Sequence, residues 1–303
     1  MSWIIVALLN PLLHGAANVF DNYLTNRMWK NTGSLIFYAT IMNVLFTPFV
    51  LIFGIPKLPP LTMIPAVIVT AALDLLYLLP YYRALQNEDT SNVSSLFSLG
   101  YLFTPVLAFL LVHELLTASQ YIGFAIVIFA SVVGSISSSG PIRINRALFY
   151  MVLAGIIVGA ETVMYKYLFT EMSWNTGFIF EHIAAFLIMA LLFLCSTALR
   201  NSVRNSWAAF KKVGHLFAAE ECLTMAGSGA VTYAIALAPV TVVQSIGATQ
   251  PFFVLLYAML FSRLFPKLFR ERIDRKSIVR KVVVFAVMLV GVCLTIGFRR
   301  DQI

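Results

Sequence analysis

Charge is scarce in this chain: only 11% of its 303 residues are Asp, Glu, Lys or Arg, against roughly 25% in a soluble globular domain. With 60% hydrophobic residues and a mean hydropathy of +0.88, this excludes a water-soluble fold. Cysteine is scarce too. Cys195, Cys222 and Cys293 have no paired spacing, so neither a disulfide framework nor a metal site is expected. The four histidines form no H-E-x-x-H, since His113-Glu114 lacks its second histidine, and no G-x-x-x-x-G-K loop is present. ATP is therefore not expected as a direct energy source, nor zinc-protease chemistry or any other cofactor. The period-two alternation of a membrane barrel is missing. A basic n-region is missing as well, so no cleavable signal is expected. The net charge of +8 sits between apolar runs, where it reports orientation and not nucleic-acid binding.

What is present is a series of apolar runs of about 20 residues, the length a helix needs to cross roughly 30 Å of hydrocarbon. Backbone groups in lipid must be bonded internally, so the runs are read as helices. Ten spans are expected, at about 3–25, 34–55, 61–85, 91–112, 117–137, 147–170, 175–200, 213–237, 241–263 and 279–297.

The chain also echoes itself. Gly15-Ala16-Ala17-Asn18-Val19-Phe20-Asp21-Asn22-Tyr23-Leu24 and Gly159-Ala160-Glu161-Thr162-Val163-Met164-Tyr165-Lys166-Tyr167-Leu168 share the pattern G-A-x-x-V-x-x-x-Y-L, 144 residues apart. Asn31-Thr32-Gly33 returns as Asn175-Thr176-Gly177 at the same offset. The expected organisation is two repeats, 1–140 and 141–303, joined at Ser137-Ser138-Ser139-Gly140-Pro141, a link that cannot continue a helix. Five spans per repeat force the copies into opposite orientations, giving an inverted repeat about an axis in the membrane plane. This is a frequent architecture of secondary transporters, whose site lies at the repeat interface.

Lys and Arg orient the bundle. Arg27, Lys30, Arg83, Arg143, Arg146, Arg200, Arg204, Lys211, Lys212 and the eight basic residues from Arg263 to Lys281 fall in odd-numbered loops, 17 of the 21; Lys57, Lys166, Arg299 and Arg300 fall on the other side. The odd loops are then cytoplasmic and both termini outside. In the ninth loop, Phe261, Leu264, Phe265, Leu268 and Phe269 alternate with Arg263, Lys267 and Arg270. A basic helix lying on the inner leaflet and a solvated topogenic loop, which Pro266 favours, both fit this pattern.

Pro105, Glu114-Leu115-Leu116-Thr117, Gln120, Gly123 and Gly134 resemble the P…E-x-L-T…Q…G…G signature of EamA-type carriers in the drug/metabolite transporter superfamily. Both halves carry the likeness. Pro251 answers Pro105, Tyr81-x-x-Ala84-Leu85 is echoed by Tyr233-x-x-Ala236-Leu237, and the 20-residue step from Glu114 to Gly134 recurs from Glu271 to Gly291. Proline to glutamate takes 9 residues in the first copy and 20 in the second, a departure from the family pattern. The resemblance implies ten helices in a basket, with spans one to four and six to nine around a central cavity and the fifth and tenth peripheral. It implies carriage of amino acids, nucleosides, sugars, amines or other metabolites, without choosing among them, and a bacterial inner membrane as the setting.

The residues themselves narrow the choice. Span one carries a polar stripe of Asn10, His14, Asn18, Asp21 or Asn22, and Thr25 beside Pro11; on a lipid face it would be costly, so it should face inward. Span three offers Thr70, Asp74, Tyr77 and Tyr81; span four Ser94, Ser98 and Tyr101; span eight Glu220, Thr224, Ser228 and Thr232; span nine Gln244. In span six, Gly155-x-x-x-Gly159 makes a close-packing face, and Glu161 and Tyr165 project on the opposite side, towards a cavity. A carboxylate at mid-depth costs about 2.5–3.5 kcal/mol to insert, so it is neutral, paired or functional. Glu161 and Asp74 are the candidates for substrate binding and for coupling to protons; pairing of Glu161 with Lys166 is the structural alternative. Glu181 and His182 are read as hydrated rim residues, Glu221 as lying towards a span end, and Glu114 as structural, an acid at the start of span five.

Mid-depth acids outnumber mid-depth bases, whereas a phosphate or nucleotide-sugar cavity should present Arg or Lys. Tyr77, Tyr81, Tyr101 and Tyr165 add faces suited to organic cations. The expected function is secondary transport of a small cationic or zwitterionic metabolite, with His14, Asn18, Asp74, Tyr77, Tyr81, Ser98, Tyr101, Glu161, Tyr165, Thr224 and Gln244 around the substrate. The expected partners are that small molecule and the lipid bilayer, with monomer and homodimer both open. Transport of nucleosides, sugars or phosphorylated metabolites, a channel, a receptor or structural bundle, and a membrane-embedded enzyme are the competing readings; no nucleophile–base set marks the last.

Overall fold

A computed structural model describes residues 2–25, 31–86, 93, 101–139, 146–264 and 275–297. Every regular element among them is helical, with no strand. In chain order the helices are α1 (Ser2–Tyr23), α2 (Thr32–Phe46), α3 (Ile64–Leu85), α4 (Thr104–Val112), α5 (Ala118–Ser139), α6 (Arg146–Glu171), α7 (Trp174–Cys195), α8 (Thr197–Leu237), α9 (Val240–Gly247), α10 (Gln250–Leu264) and α11 (Arg275–Ile296). Six segments among the described residues are long and apolar enough to cross a membrane: Trp3–Asp21, Thr32–Phe53, Leu61–Leu85, Leu148–Glu171, Trp174–Cys195 and Val240–Tyr257. The surface is apolar, with Ile52 79% exposed and Phe49 67%, while acids, amides and hydroxyls are buried. That inversion of the usual soluble pattern is the signature of a multi-pass membrane bundle.

Three expected boundaries move. The seventh and eighth spans were expected to be separated by a basic loop from 200 to 213; α8 is instead one helix of 41 residues. At 1.5 Å per residue it is about 60 Å long, twice the hydrocarbon thickness. Thr197–Lys212 contains no Gly or Pro and is rich in Ala, Arg and Lys, all good helix formers. Tertiary contacts hold it against α2: Tyr38 donates to the Val203 carbonyl (3.1 Å), Ser34 and Ser206 hydroxyls meet at 2.9 Å, and Tyr38 stacks on Phe210. Ser196 alone separates α7 from α8, accepting from Leu199 N–H, while Arg200 donates back to the Phe193 and Leu194 carbonyls. The serines of the expected interdomain link are also helical, because α5 runs through Ser139; the remainder of the link lies outside the described residues. So does the ninth loop between 265 and 274.

The third change concerns the two prolines of the family signature. The ninth span is broken into α9 and α10 at Ala248-Thr249, and Pro251 is the second residue of α10. Pro105 is likewise the second residue of α4, which follows a 3-10 turn at Tyr101–Phe103. A proline has no N–H to continue the ladder but is favourable in the first helical turn. Each therefore opens a helix instead of kinking one.

The most extensive helix pairs among the described residues are α5 with α11, α1 with α8, and α3 with α6. Gly123 and Gly291 allow the first: a Cβ at Gly123 would lie 2.6 Å from the Gly291 carbonyl oxygen, and one at Gly291 2.8 Å from the Gly123 oxygen. Gly15 does the same where α1 crosses α10, its virtual Cβ 2.8 Å from that of Phe253. The repeated Asn-Thr-Gly motif performs two different tasks. Asn31 caps α2, its side chain accepting from Ser34 N–H, whereas α7 begins at Trp174, so Asn175 lies inside it and donates to the Gly54 carbonyl (2.8 Å).

Candidate functional site

The polar faces of α1, α3, α6 and α8 converge on one cavity of about 130 Å³, closed by α9, the start of α10 and the Tyr101 turn. Of the residues expected around a substrate, His14, Asn18, Asp74, Tyr77, Tyr81, Tyr101, Glu161, Tyr165, Thr224 and Gln244 all line it, and Asn10 joins them. Ser98 and Ser94 lie outside the described residues. The repeat offset of 144 is visible in the walls: His14, Asn18 and Asp21 correspond to Val158, Thr162 and Tyr165, and all six face the same space.

Each half contributes a tyrosine–carboxyl contact. Tyr81 points its hydroxyl between Asn18 Oδ1 (2.9 Å) and Asp21 Oδ2 (2.8 Å). Tyr165 donates to Glu181 Oε2 (2.6 Å), which also lies 2.6 Å from His182 Nδ1. Asp74 is within electrostatic reach of Glu181 and His182, and Glu161 of Asp74 and Glu181. On α8, Thr224 donates to Glu220 Oε1 (2.8 Å), and Asp21 and Glu221 stand close to Glu220. Gln244 on α9 donates to Thr162 (2.7 Å), fixing the break in span nine against α6. His14 packs flat on Gly227, where an added Cβ would lie 2.5 Å from the ring, and its Nε2 reaches Ser228 Oγ at 3.4 Å.

Five carboxyl groups line the cavity: Asp21, Asp74, Glu161, Glu220 and Glu221. Neither Lys nor Arg is among the described lining residues. Among the described residues, the lining atoms Glu220 Oε2 and Asn43 Oδ1 are buried with no N–H or hydroxyl donor reaching them, and the Glu221 carboxyl lies beside that of Glu220.

Two sequence readings of acids are corrected. Glu181 and His182 are not rim residues: Glu181 is 0% exposed and His182 7%, two turns into α7. Glu221 is not a span-end residue but a buried wall residue, because α8 begins far before the expected start of its span. Lys166 does not pair with Glu161. Its Nζ donates to the Ile235 and Ala238 carbonyls (2.8 and 3.0 Å), closing the C-terminus of α8. Glu114 is structural, but at another helix: Oε2 and Oε1 accept from Val240 and Thr241 N–H (2.7 and 3.1 Å) at the start of α9. The Ala238-Pro239 joint is thus held from both sides by long-range polar caps, which no local motif announces. Tyr82, Asn43 and Gln250 also line the cavity and were not singled out; they lack the spacing of a stripe, and only the packing of neighbouring helices turns them inward.

Residues 1–136 match the EamA-like transporter family, part of the drug/metabolite transporter superfamily. That stretch carries α1 to α4 and most of α5. A solved structure described as "Crystal structure of protein" superposes with a TM-score of 0.64 at 12% identity, over 100% of this chain and 99% of that one. At that identity the likeness concerns the fold. Among curated proteins, none matches.

Proposed function

We propose that the chain is a secondary active transporter moving a small cationic or zwitterionic metabolite, an amino acid, amine or methylated cation, through the central cavity by alternating access. The observation that carries this reading is the lining: five carboxyl groups with no Lys or Arg among the described wall residues. A cation entering brings counter-charge and N–H donors to buried acceptors, whereas a phosphorylated anion would meet like charge. Tyr77, Tyr81, Tyr101 and Tyr165 present aromatic faces to it. The architecture in this reading is ten spans as a five-plus-five inverted repeat, divided near residue 140. Helix pairing supports it: exchanging the halves turns the α1–α8 pair into α6–α3, and returns α5–α11 to itself. The ninth span, broken just before Pro251, flanks the cavity as such repeats place a discontinuous helix. Both termini lie outside and the membrane is a bacterial inner membrane.

Glu161 and Asp74 are the coupling residues in this reading, releasing protons as substrate binds. Thermal unfolding of the purified protein against amino acids, amines, methylated cations, nucleosides and sugar phosphates tests it, because a ligand of the folded state raises stability by RT ln(1 + [L]/Kd). Stabilisation by cations or zwitterions, lost in Glu161→Gln, is expected. Stabilisation by sugar phosphates alone would return the acids to a structural role. Proton-driven uptake in vesicles should also lose its dependence on a pH gradient in Glu161→Gln; retained dependence refutes the coupling role.

A further inference from the structure

The carboxyl groups of the cavity fall into two sets carried by different helices. One is Asp74 on α3 and Glu161 on α6, with Glu181 and His182 of α7 behind them. The other is Asp21 on α1 with Glu220 on α8, while Glu221 is within electrostatic reach of both Asp21 and Asp74 and so of both sets. Helix α3 spans both. Asp74 belongs to the first set, and Tyr81, whose hydroxyl meets Asp21 at 2.8 Å, belongs to the second. That step of seven residues places their backbones about 10 Å apart along the helix. The second set has a mark of its own: Glu220 is 2% exposed and lines the cavity, and its Oε2 is reached by no N–H or hydroxyl donor, the neighbouring Glu221 carboxyl being its companion. An ammonium group, with three donors and no acceptor, is the simplest occupant of such a position.

We infer that the transported species is a linear diamine or polyamine, one ammonium held by Asp74 and Glu161 and the other by Asp21 and Glu220, with Glu221 in reach of both ends. The inference rests on the reading that the cavity takes a cation, and extends it to two charges joined by an apolar chain. A single ammonium would pair with one set and leave the acids of the other holding their protons, forgoing the second charge-assisted contact that a diamine makes. Val158, Met225, Val231 and Ile235 also line the cavity and offer apolar wall to methylenes.

The test compares putrescine, cadaverine and spermidine with n-butylamine and n-pentylamine by ligand-dependent thermal stabilisation of the full chain in detergent. Diamines should bind about tenfold or more tightly than monoamines of equal length, the effect of one further charge-assisted hydrogen bond. Equal affinities for diamine and monoamine overturn the two-ended site and leave the single-cation reading standing. No stabilisation by any amine overturns both. Glu220→Gln should bring the diamine-to-monoamine ratio towards one, as should Asp21→Asn, whereas Glu161→Gln should weaken both ligand classes together. An unchanged ratio in folded Glu220→Gln overturns the placement of the second ammonium. If that variant does not fold, the wild-type ratio decides the question by itself.

Discussion

Two charged side chains outside the ligand space show how single residues hold this bundle. Glu114 gives its two oxygens to the first N–H groups of α9, and Lys166 gives its protons to the last carbonyls of α8. A helix terminus in lipid cannot use water for those groups, so partners must come from the protein. Glu114→Ala should lower stability by about 1–2 kcal/mol, the usual loss of a helix N-cap. Glu114→Gln, which keeps one acceptor, should lose less. Melting temperatures in detergent order the three proteins; an unshifted Glu114→Ala would mean that the cap is not needed. Gly227 is the other informative position, since the His14 ring occupies the space a methyl would need. Gly227→Ala should displace His14 and weaken substrate binding several-fold while changing the charge of the cavity not at all. Binding at wild-type strength would show that His14 is not required in its observed place.

Among the elements, α8 combines two roles that hydropathy separates. Its first half is basic and exposed along one side, and packs against α2 through Tyr38 and Phe210; its second half carries Glu220, Glu221 and Thr224 into the cavity. Because one helix spans both, a movement of the basic end should carry the acids with it. Pro substituted at Ala209, between the halves, should break that continuity at a cost of about 3 kcal/mol. Transport should fall more than binding measured at equilibrium; equal loss of both would mean that the rigid connection is immaterial. The pair α5 and α11, joined at Gly123 and Gly291, contributes no described residue to the cavity wall. Gly291→Leu should destabilise by about 1–3 kcal/mol through overpacking yet preserve the substrate profile of whatever protein folds. A changed profile would show that this pair shapes the cavity.

For the whole molecule, the distribution of polarity is the organising fact: apolar side chains outward, carboxyl groups inward. Orientation across the membrane is the global property most open to test. With the native cysteines replaced by serine, a cysteine at Lys57 should react with an impermeant maleimide added to intact cells, and one at Asn205 should not. The reverse pattern would invert the topology. How much of this was legible beforehand differs by level. His14, Asn18, Asp74, Glu161 and Tyr165 were expected to share one space from helical spacing alone, and the structure does bring them together. Glu181, His182 and Glu221 were misplaced, because their depth was judged from span boundaries, and α7 and α8 do not end where charge begins.

By itself, the sequence determined the helical, membrane-embedded character, the internal echo and the face that the polar stripes of spans one, three, six and eight present. These follow from hydropathy, residue periodicity and the requirement that lipid imposes on backbone groups. Only the tertiary structure decided which acids are neighbours, that Lys166 and Glu114 serve helix ends distant in sequence, and that α8 continues through its basic stretch. Those outcomes depend on contacts between residues 69 to 172 positions apart, such as Lys166 with Ile235 and Ser34 with Ser206. Local propensity does not encode such contacts; they exist once the helices have packed.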